Sequence, residues 1–242
     1  MPGKVEHRLV LVQEAVDSTF NETTAIPTLL AGLALSGGLV TIDAIGCQKA
    51  ITQAILDQKA DYVLAVKGNQ PCTLQAVATW FEEHAFAVPA SVKPVLDAFD
   101  ERHGRLTRRR VFLHAALPEL RVLEEGPGIK SILAVESMRM LKPPGAVTAA
   151  KRYFLCSVPA ADERQIAAIR QHWSIENSLH WVLDVTFEDD ASRVRDQHAR
   201  HNLAVLRKIA SNLFQCSATT GSVRGRRKQA AWNDAFMAQL LL

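Results

Sequence analysis

Two short, almost continuously apolar runs, Gly38-Leu39-Val40-Thr41-Ile42-Asp43-Ala44 and Tyr62-Val63-Leu64-Ala65-Val66, lie one helix apart in this chain. Strands that lack apolar–polar alternation bury both faces, as in a parallel sheet covered by helices on either side. The intervening residues 48–58 suit a crossover helix, so the segment reads as a right-handed βαβ unit. Both strands then end at the same edge of the sheet. Asp43 closes the first strand, and Lys67-Gly68-Asn69 follows the second, which puts Asp43, Lys67 and Asn69 at the edge where open α/β sheets gather their ligands.

Around this unit, residues 7–16 read as a strand and 23–35 as a helix carrying Pro27 in its first turn, where a missing N–H costs little. A helix is expected over 74–84, followed by a stretch punctuated by Pro89 and Pro94. Strands over 106–114, 129–140 and 152–158 come without helices between them, with a turn at Lys142-Pro143-Pro144-Gly145. Such a run implies an antiparallel β region inserted into an α/β core. Helices over 162–184 and 196–214 come next, and the polar, basic residues 217–229 read as loose chain. No stretch of about 18 apolar residues occurs. Cys47, Cys72, Cys156 and Cys216 show no C-x-x-C spacing. The expectation is a cytoplasmic protein with reduced thiols, no membrane span and no export signal.

The helix over 162–184 contains a charge where apolar residues are expected. At about 100° per residue, Ile169, Trp173, Leu179, His180 and Leu183 all fall on the same side as Glu176. A carboxylate there needs a cationic partner, hydrogen bonds or a metal. The two tryptophans of this helix, Trp173 and Trp181, read as core. Asp43 suits either the cap of the next helix or a metal ligand, and Glu176 either an ion pair with a residue such as Arg170 or the same metal. If the two carboxylates meet, a hard divalent cation, Mg²⁺ or Mn²⁺, is the natural bridge, and the matching chemistry is metal-assisted phosphoryl transfer.

Net charge is only +3, but its distribution is uneven. From Arg193 to Lys228 nine cationic residues, among them Arg193, Arg195, Arg200 and Arg207, face the single acid Asp196. Arg102, Arg105, Arg108, Arg109 and Arg110 cluster around His103-Gly104 as a basic hairpin or strand. Both clusters suit a polyanion as well as a solvated surface. His180, one turn from Glu176, suits either a packed residue or a contact to metal or phosphate. The acidic turn Glu188-Asp189-Asp190 suits a cap or an extra carboxylate.

Three ordered segments then give a resemblance. Val40-Thr41-Ile42-Asp43-Ala44-Ile45-Gly46-Cys47-Gln48, Asp61-Tyr62-Val63-Leu64-Ala65-Val66-Lys67-Gly68-Asn69-Gln70 and His172-Trp173-Ser174-Ile175-Glu176-Asn177-Ser178-Leu179-His180-Trp181-Val182-Leu183-Asp184-Val185 closely resemble the DDE transposases of bacterial insertion sequences, in the branch of the H-repeat-associated proteins. The likeness continues through Asn202-Leu203-Ala204-Val205-Leu206-Arg207 and covers about residues 6–214. It implies an RNase H-like core interrupted by a β-rich insertion: residues 1–70 as the first part of the core, 71–160 as the insertion, 161–216 as the carboxyl-terminal core helices and 217–242 as a basic tail. It also implies an Asp-Asp-Glu metal triad in which Asp43 is the second Asp and Glu176 the Glu.

The resemblance departs in two places. The family's first Asp lies on a core strand upstream of the segment matching residues 7–16, so the chain reads as lacking its first core strands and one metal ligand, with Asp17 following the wrong strand to replace it. Neighbouring insertion-sequence families carry an Arg four residues before the Glu and a Lys seven after it; here His172 and Leu183 stand there, and His172, Arg193 or Arg195 would take over the phosphate contacts. The expected activity is Mg²⁺- or Mn²⁺-dependent cleavage and strand transfer at transposon ends. The partners are duplex DNA at those ends and at the target, and a second copy or an intact transposase in an oligomer. The chain, nucleoid-associated when bound to DNA, would be inactive alone. The rival expectation is a non-catalytic DNA-binding remnant that interferes with an intact transposase; a host nuclease of RNase H-like fold fits the insertion and basic tail less well.

Overall fold

The computed structural model describes residues 9–13, 22–102, 104–116, 120, 123, 126–141, 145–175 and 179–241. They form two compact units, Val16–His172 and a second one made of Met1–Ala15 with Trp173–Leu242. The architecture is mixed α/β.

In the larger unit, α1 (Glu22–Ala31) precedes β1 (Leu39–Ile42), α2 (Lys49–Asp57) and β2 (Asp61–Val66), and β1 and β2 pair in parallel with Val40 opposite Tyr62. The βαβ reading thus holds. After α3 (Pro71–Phe81) and a π-helical turn, Glu82–Phe86, come β3 (Leu96–Arg102), β4 (Arg105–Ala115), β5 (Ser131–Leu141) and β6 (Val147–Cys156). All six strands form one sheet in the order β1-β2-β6-β5-β4-β3, with β6 antiparallel to β2. β6, the last strand of the stretch 71–160, is thus the sheet neighbour of β2. β3 to β6 pair antiparallel throughout.

Helices cover the two sheet faces. Tyr62, Leu64, Phe112, Ile132 and Leu155 pack with Ile51 and Ile55 of α2 and Val77 and Phe81 of α3. On the opposite face Val63, Val111, Leu133, Val135 and Phe154 pack with Ile169 of α4 (Arg164–Ile175). Each fully buried Leu or Ile contributes roughly 1.5–3 kcal/mol. β2 is the buried strand of the parallel pair. β1, expected to be covered on both faces, is half-buried throughout because it is outermost in the sheet.

The start of α4 is fixed by buried polar groups. Ser131 Oγ donates to the Val158 carbonyl at 2.7 Å and meets Gln165 Oε1 at 3.2 Å, and Gln165 Nε2 donates to the Pro159 carbonyl at 3.1 Å. Ser157 Oγ accepts from the Tyr62 amide and donates to Asp61, both at 2.8 Å, and Arg164 reaches Asp61 at 3.4 Å. These bonds fasten the amino end of α4 to the β2 and β6 strands.

Several expectations are corrected. Residues 9–13, the described part of the expected first strand, join no sheet; Asn212 instead donates to the Val10 carbonyl at 2.7 Å and accepts from its amide at 2.9 Å, the two bonds a strand neighbour would make. α1 starts one residue early and ends at Ala31, so Pro27 sits inside it. β3 is absent from the expected strands because Asp97, Asp100, Glu101 and Arg102 hide its apolar residues; it is a charged edge strand that turns through Gly104 (φ 69°) into β4. Of the Lys142–Gly145 turn, residues 142–144 lie outside the described residues.

The long helix over 162–184 is not one α-helix. α4 is described to Ile175, and Val182–Thr186 is π-helical, whose wider turn breaks the 100° wheel that aligned Ile169 with Leu183. Ile169 belongs to the sheet core, whereas Leu183 packs with Val182, Phe187 and Phe214 in the smaller unit. Trp173 and Trp181, expected in the core, are 37% and 54% exposed. α5 (Gln197–Cys216) begins at Asp196, whose carboxylate accepts from the Ala199 amide at 2.8 Å.

The tail expected to be loose is helical instead. α6 (Val223–Trp232) is capped by Ser222, and α7 (Asp234–Leu241) follows. Arg226 is buried and donates to the Phe214 carbonyl in the last turn of α5 at 2.5 Å, and Arg227 donates to the Thr186 carbonyl and lies over the Phe187 ring. Two of its arginines thus complete the carbonyl ends of other helical turns, where positive charge is favoured.

Candidate functional site

The carboxyl ends of β1 and β2 bring four of the sequence-selected residues together. Asp43 follows β1 in an extended conformation before the 3₁₀ turn Ala44–Gly46, and its side chain does not cap that turn. Gln48 is the residue at the cap position of α2, so the alternative use of Asp43 as the cap of that helix is not realised. The carboxylate instead meets Lys67 Nζ at 2.9 and 3.0 Å, one contact to each oxygen, with both side chains about 60% exposed. The Lys67 hydrogen bond holds the Asp43 carboxyl below the usual carboxylate range, against a smaller effect of burial; the Ala44 backbone and the charge of His172 add to the lowering. Asp43 is therefore ionised at neutral pH.

The loop after β2 is tied to the loop after β1. Asn69 Nδ2 donates to the Ala44 carbonyl at 2.7 Å, and Gln70 Nε2 to the Cys47 carbonyl at 3.0 Å. Asn69 thus positions the Asp43 turn through its amide donor. His172, near the carboxyl end of α4, places Nδ1 3.1 Å from the Thr41 hydroxyl of β1. Thr41 precedes Asp43 by two residues on the same strand, so the contact joins the end of α4 to the edge that bears Asp43. No sequence signal points to Thr41, whose hydroxyl lies inside an apolar run.

Glu176 lies outside the described residues, as does Asp17. Among the described residues no three His, Cys, Asp or Glu side chains form a group able to hold a metal. Asp43 alone nevertheless suits one by donor chemistry: an ionised, accessible oxygen pair already holding a cation, Lys67. In the acidic turn, Asp189 is taken by Arg207 at 2.5 Å, which leaves it poorly placed as a spare ligand.

The other selected residues are dispersed. His180 is exposed in the smaller unit, where Arg193 and Arg195, together with Ser192, Val194 and Arg200, line an open groove of about 540 Å³. Arg105 is exposed at the start of β4. Arg108 is engaged: it grips Asp97 of β3 through Nε at 2.9 Å and Nη2 at 2.6 Å, and lies 5.3 Å over the Phe99 ring. Arg110 likewise pairs with the buried Glu136 at 2.5 Å.

Residues 5–213 match the family described as the transposase DDE domain. The chain is 38% identical to the "Putative transposase YncI" of Escherichia coli O157:H7 over 98% of its own length and 61% of that protein's. It is 33% identical to the "H repeat-associated putative transposase YhhI" of Escherichia coli strain K12, over 97% of this chain and 63% of the relative. A shorter match, 41% identity over 102 residues, covers 41% of this chain and 38% of the "H repeat-associated putative transposase YbfD" of the same strain. The chain therefore spans about three-fifths of the length of the first two relatives.

Proposed function

The chain belongs to the transposase DDE domain family, and on that premise we propose that it supplies the second and third metal-binding carboxylates, Asp43 and Glu176, of an RNase H-like site for DNA transposition. The observation that supports this most is the ionised Asp43 at the carboxyl end of the parallel pair, held by Lys67 rather than spent on a helix cap. A bound Mg²⁺ or Mn²⁺ would supply an activated water or 3′-hydroxyl and stabilise the leaving oxygen of an in-line displacement. Around it, the work of this chain's residues is positioning. Asn69 and Gln70 hold the Asp43 turn, and His172 is anchored by Thr41 at the same sheet edge, within the segment that a scissile phosphate would approach. Lys67 neutralises Asp43 until a metal takes its place and can then turn to phosphate, and Arg193 and Arg195 in their groove, with Arg105, Arg108 and His180, supply further cationic or polar contacts to DNA.

In this reading the partners are transposon ends and target duplex, met in the cytoplasm on the nucleoid by an oligomer with a further copy or a longer transposase. Residues 71–160 carry the β insertion and 217–242 a basic extension. No helix among the described residues is long and apolar enough to cross a membrane. In the second reading the protein binds transposon ends without cutting them and competes with an intact transposase. Metal binding tests the site without depending on turnover. Loss of free Mn²⁺ signal in electron paramagnetic resonance titrations should be weakened in both Asp43→Asn and Glu176→Gln; unchanged binding in Asp43→Asn would sink the assignment of that residue.

A further inference from the structure

The period-2 alternation of a strand divides the arginines of the β hairpin between two faces of the sheet. On one face, every described cation of β4–β6 is neutralised: Arg108 by Asp97, Arg110 by Glu136, and Lys151 by Glu82 at 2.6 Å. On the other face, register places Arg109 opposite Ser137 and Arg139 opposite Thr107, with Arg105 two positions beyond Thr107 on the same strand. Arg152, on the adjoining β6, stands opposite Val135 and therefore joins this face. Arg105, Arg109 and Arg139 are exposed, and none of the three forms an ion pair or hydrogen bond among the described residues. One acid shares the face, Asp100 opposite Thr107, and it has a partner of its own.

We propose that the unpaired arginine face of β4 and β5, carried by Arg105, Arg109 and Arg139, is a docking surface for the phosphate backbone of duplex DNA. The inference rests on the DNA-binding reading above and sharpens it by moving the contact from Arg108 to Arg109 and Arg139. Charge complementarity decides the occupant. Three unneutralised guanidiniums share one face of the sheet, and the positions between them, Thr107, Ser137, Thr148 and Ala150, carry no charge. Arg105 and Arg109 are separated by about 14 Å along the strand, with Arg139 between them on the neighbouring strand. One DNA strand presents about four phosphates over that axial distance. A sheet face reading phosphates positions a duplex without selecting its sequence.

The experiment is a fluorescence anisotropy titration of a random-sequence 20-base-pair duplex with the 242-residue chain at several salt concentrations. The wild type is compared with Arg105→Gln, Arg109→Gln, Arg139→Gln, the triple variant, and Lys151→Gln as the opposite-face control. Each of the three single substitutions should lower the salt slope of log K by up to about 0.9, and the triple should weaken low-salt binding on the order of tenfold or more, independent of sequence. Lys151→Gln should leave both nearly unchanged. A triple variant that keeps the wild-type slope overturns the proposal while leaving DNA binding in place, and so does a Lys151→Gln loss equal to that of each arginine. A wild type that fails to bind at low salt overturns the DNA-binding reading itself. Loss of self-association by sedimentation in the triple variant, with DNA binding intact, would assign the face to a second copy instead. If the triple variant unfolds by circular dichroism, the single variants decide the matter.

Discussion

Asp43 and Lys67 meet because two parallel strands end side by side, and each finds in the other the counter-charge that its own loop does not offer. An exposed pair of this kind is worth at most about 1 kcal/mol. Its chemical consequence is that the folded carboxyl is held below its ordinary range. A depressed carboxyl contributes stability that is present above its unfolded pKa and disappears as pH falls through the folded one. Lys67→Met should therefore raise the Asp43 carboxyl pKa in carbon-13 NMR titrations and cost little stability at pH 7, with the cost vanishing in acid. An unmoved carboxyl resonance would show that Lys67 does not hold it. The same substitution should tighten Mn²⁺ binding modestly, since the metal no longer displaces an ammonium group. The thiols divide by burial in the same manner: Cys156 is raised to about 12 and Cys47 to about 11 by desolvation, whereas Cys72 and Cys216 are exposed. Iodoacetamide should thus modify two cysteines rapidly in the native protein and the other two only on unfolding. Fast labelling of Cys156 would contradict its packing.

Secondary-structure elements were legible where one physical signal dominated. The unbroken apolar run of β2 declares itself, and the parallel order of β1 and β2 follows from the helix between them, whereas α3, expected from residue 74, starts three residues earlier at Pro71. β3 was hidden because an edge strand tolerates the charges that disguise it, and α6 because a run of arginines looks like solvent-exposed chain until its carbonyl partners are known. The placement of Asp43, Lys67 and Asn69 was legible from chain order, but the engagement of Arg108 by Asp97 was not, since cross-strand register is a tertiary property. Two elements offer tests. Gln165 is fully buried at the start of α4, and truncating it removes the bond to the Pro159 carbonyl and the contact with the Ser131 hydroxyl, which keeps the Val158 carbonyl. Gln165→Ala should cost roughly 1–3 kcal/mol in urea denaturation. Arg226→Ala should cost a comparable amount by leaving the Phe214 carbonyl without its donor, while its effect on low-salt DNA affinity stays small because that guanidinium already lies inside the protein. A large, fold-independent loss of DNA affinity in Arg226→Ala would instead return the helical tail to the binding surface.

At the scale of the whole molecule, chemistry depends on how many carboxylates are assembled. The proposed reading gives Asp43 and Glu176 to the triad, and the first two relatives extend over about two-fifths more of their own length than this chain covers. Two-metal phosphoryl transfer needs both the attacking and the leaving oxygen to be stabilised, and removal of one well-placed electrostatic group commonly costs on the order of 10²–10³ in rate. The proposed DNA binding has no such requirement, because it would draw on arginines spread over the sheet and the loop before α5. Binding and cleavage should therefore separate. The chain alone should bind a duplex with a steep salt dependence yet leave transposon-end DNA uncut in Mg²⁺. Joined to the upstream segment of a longer relative, it should cut that DNA, and the gained cleavage should disappear in Asp43→Ala and in Glu176→Ala while duplex affinity is largely retained. Cleavage by the 242 residues alone, abolished by Glu176→Ala, would mean that a carboxylate within them completes the site, with Asp17 the first to substitute and Asp189 the second. A fusion that binds but never cuts would favour the non-catalytic reading, in which the same arginines hold transposon ends only to deny them to an intact enzyme.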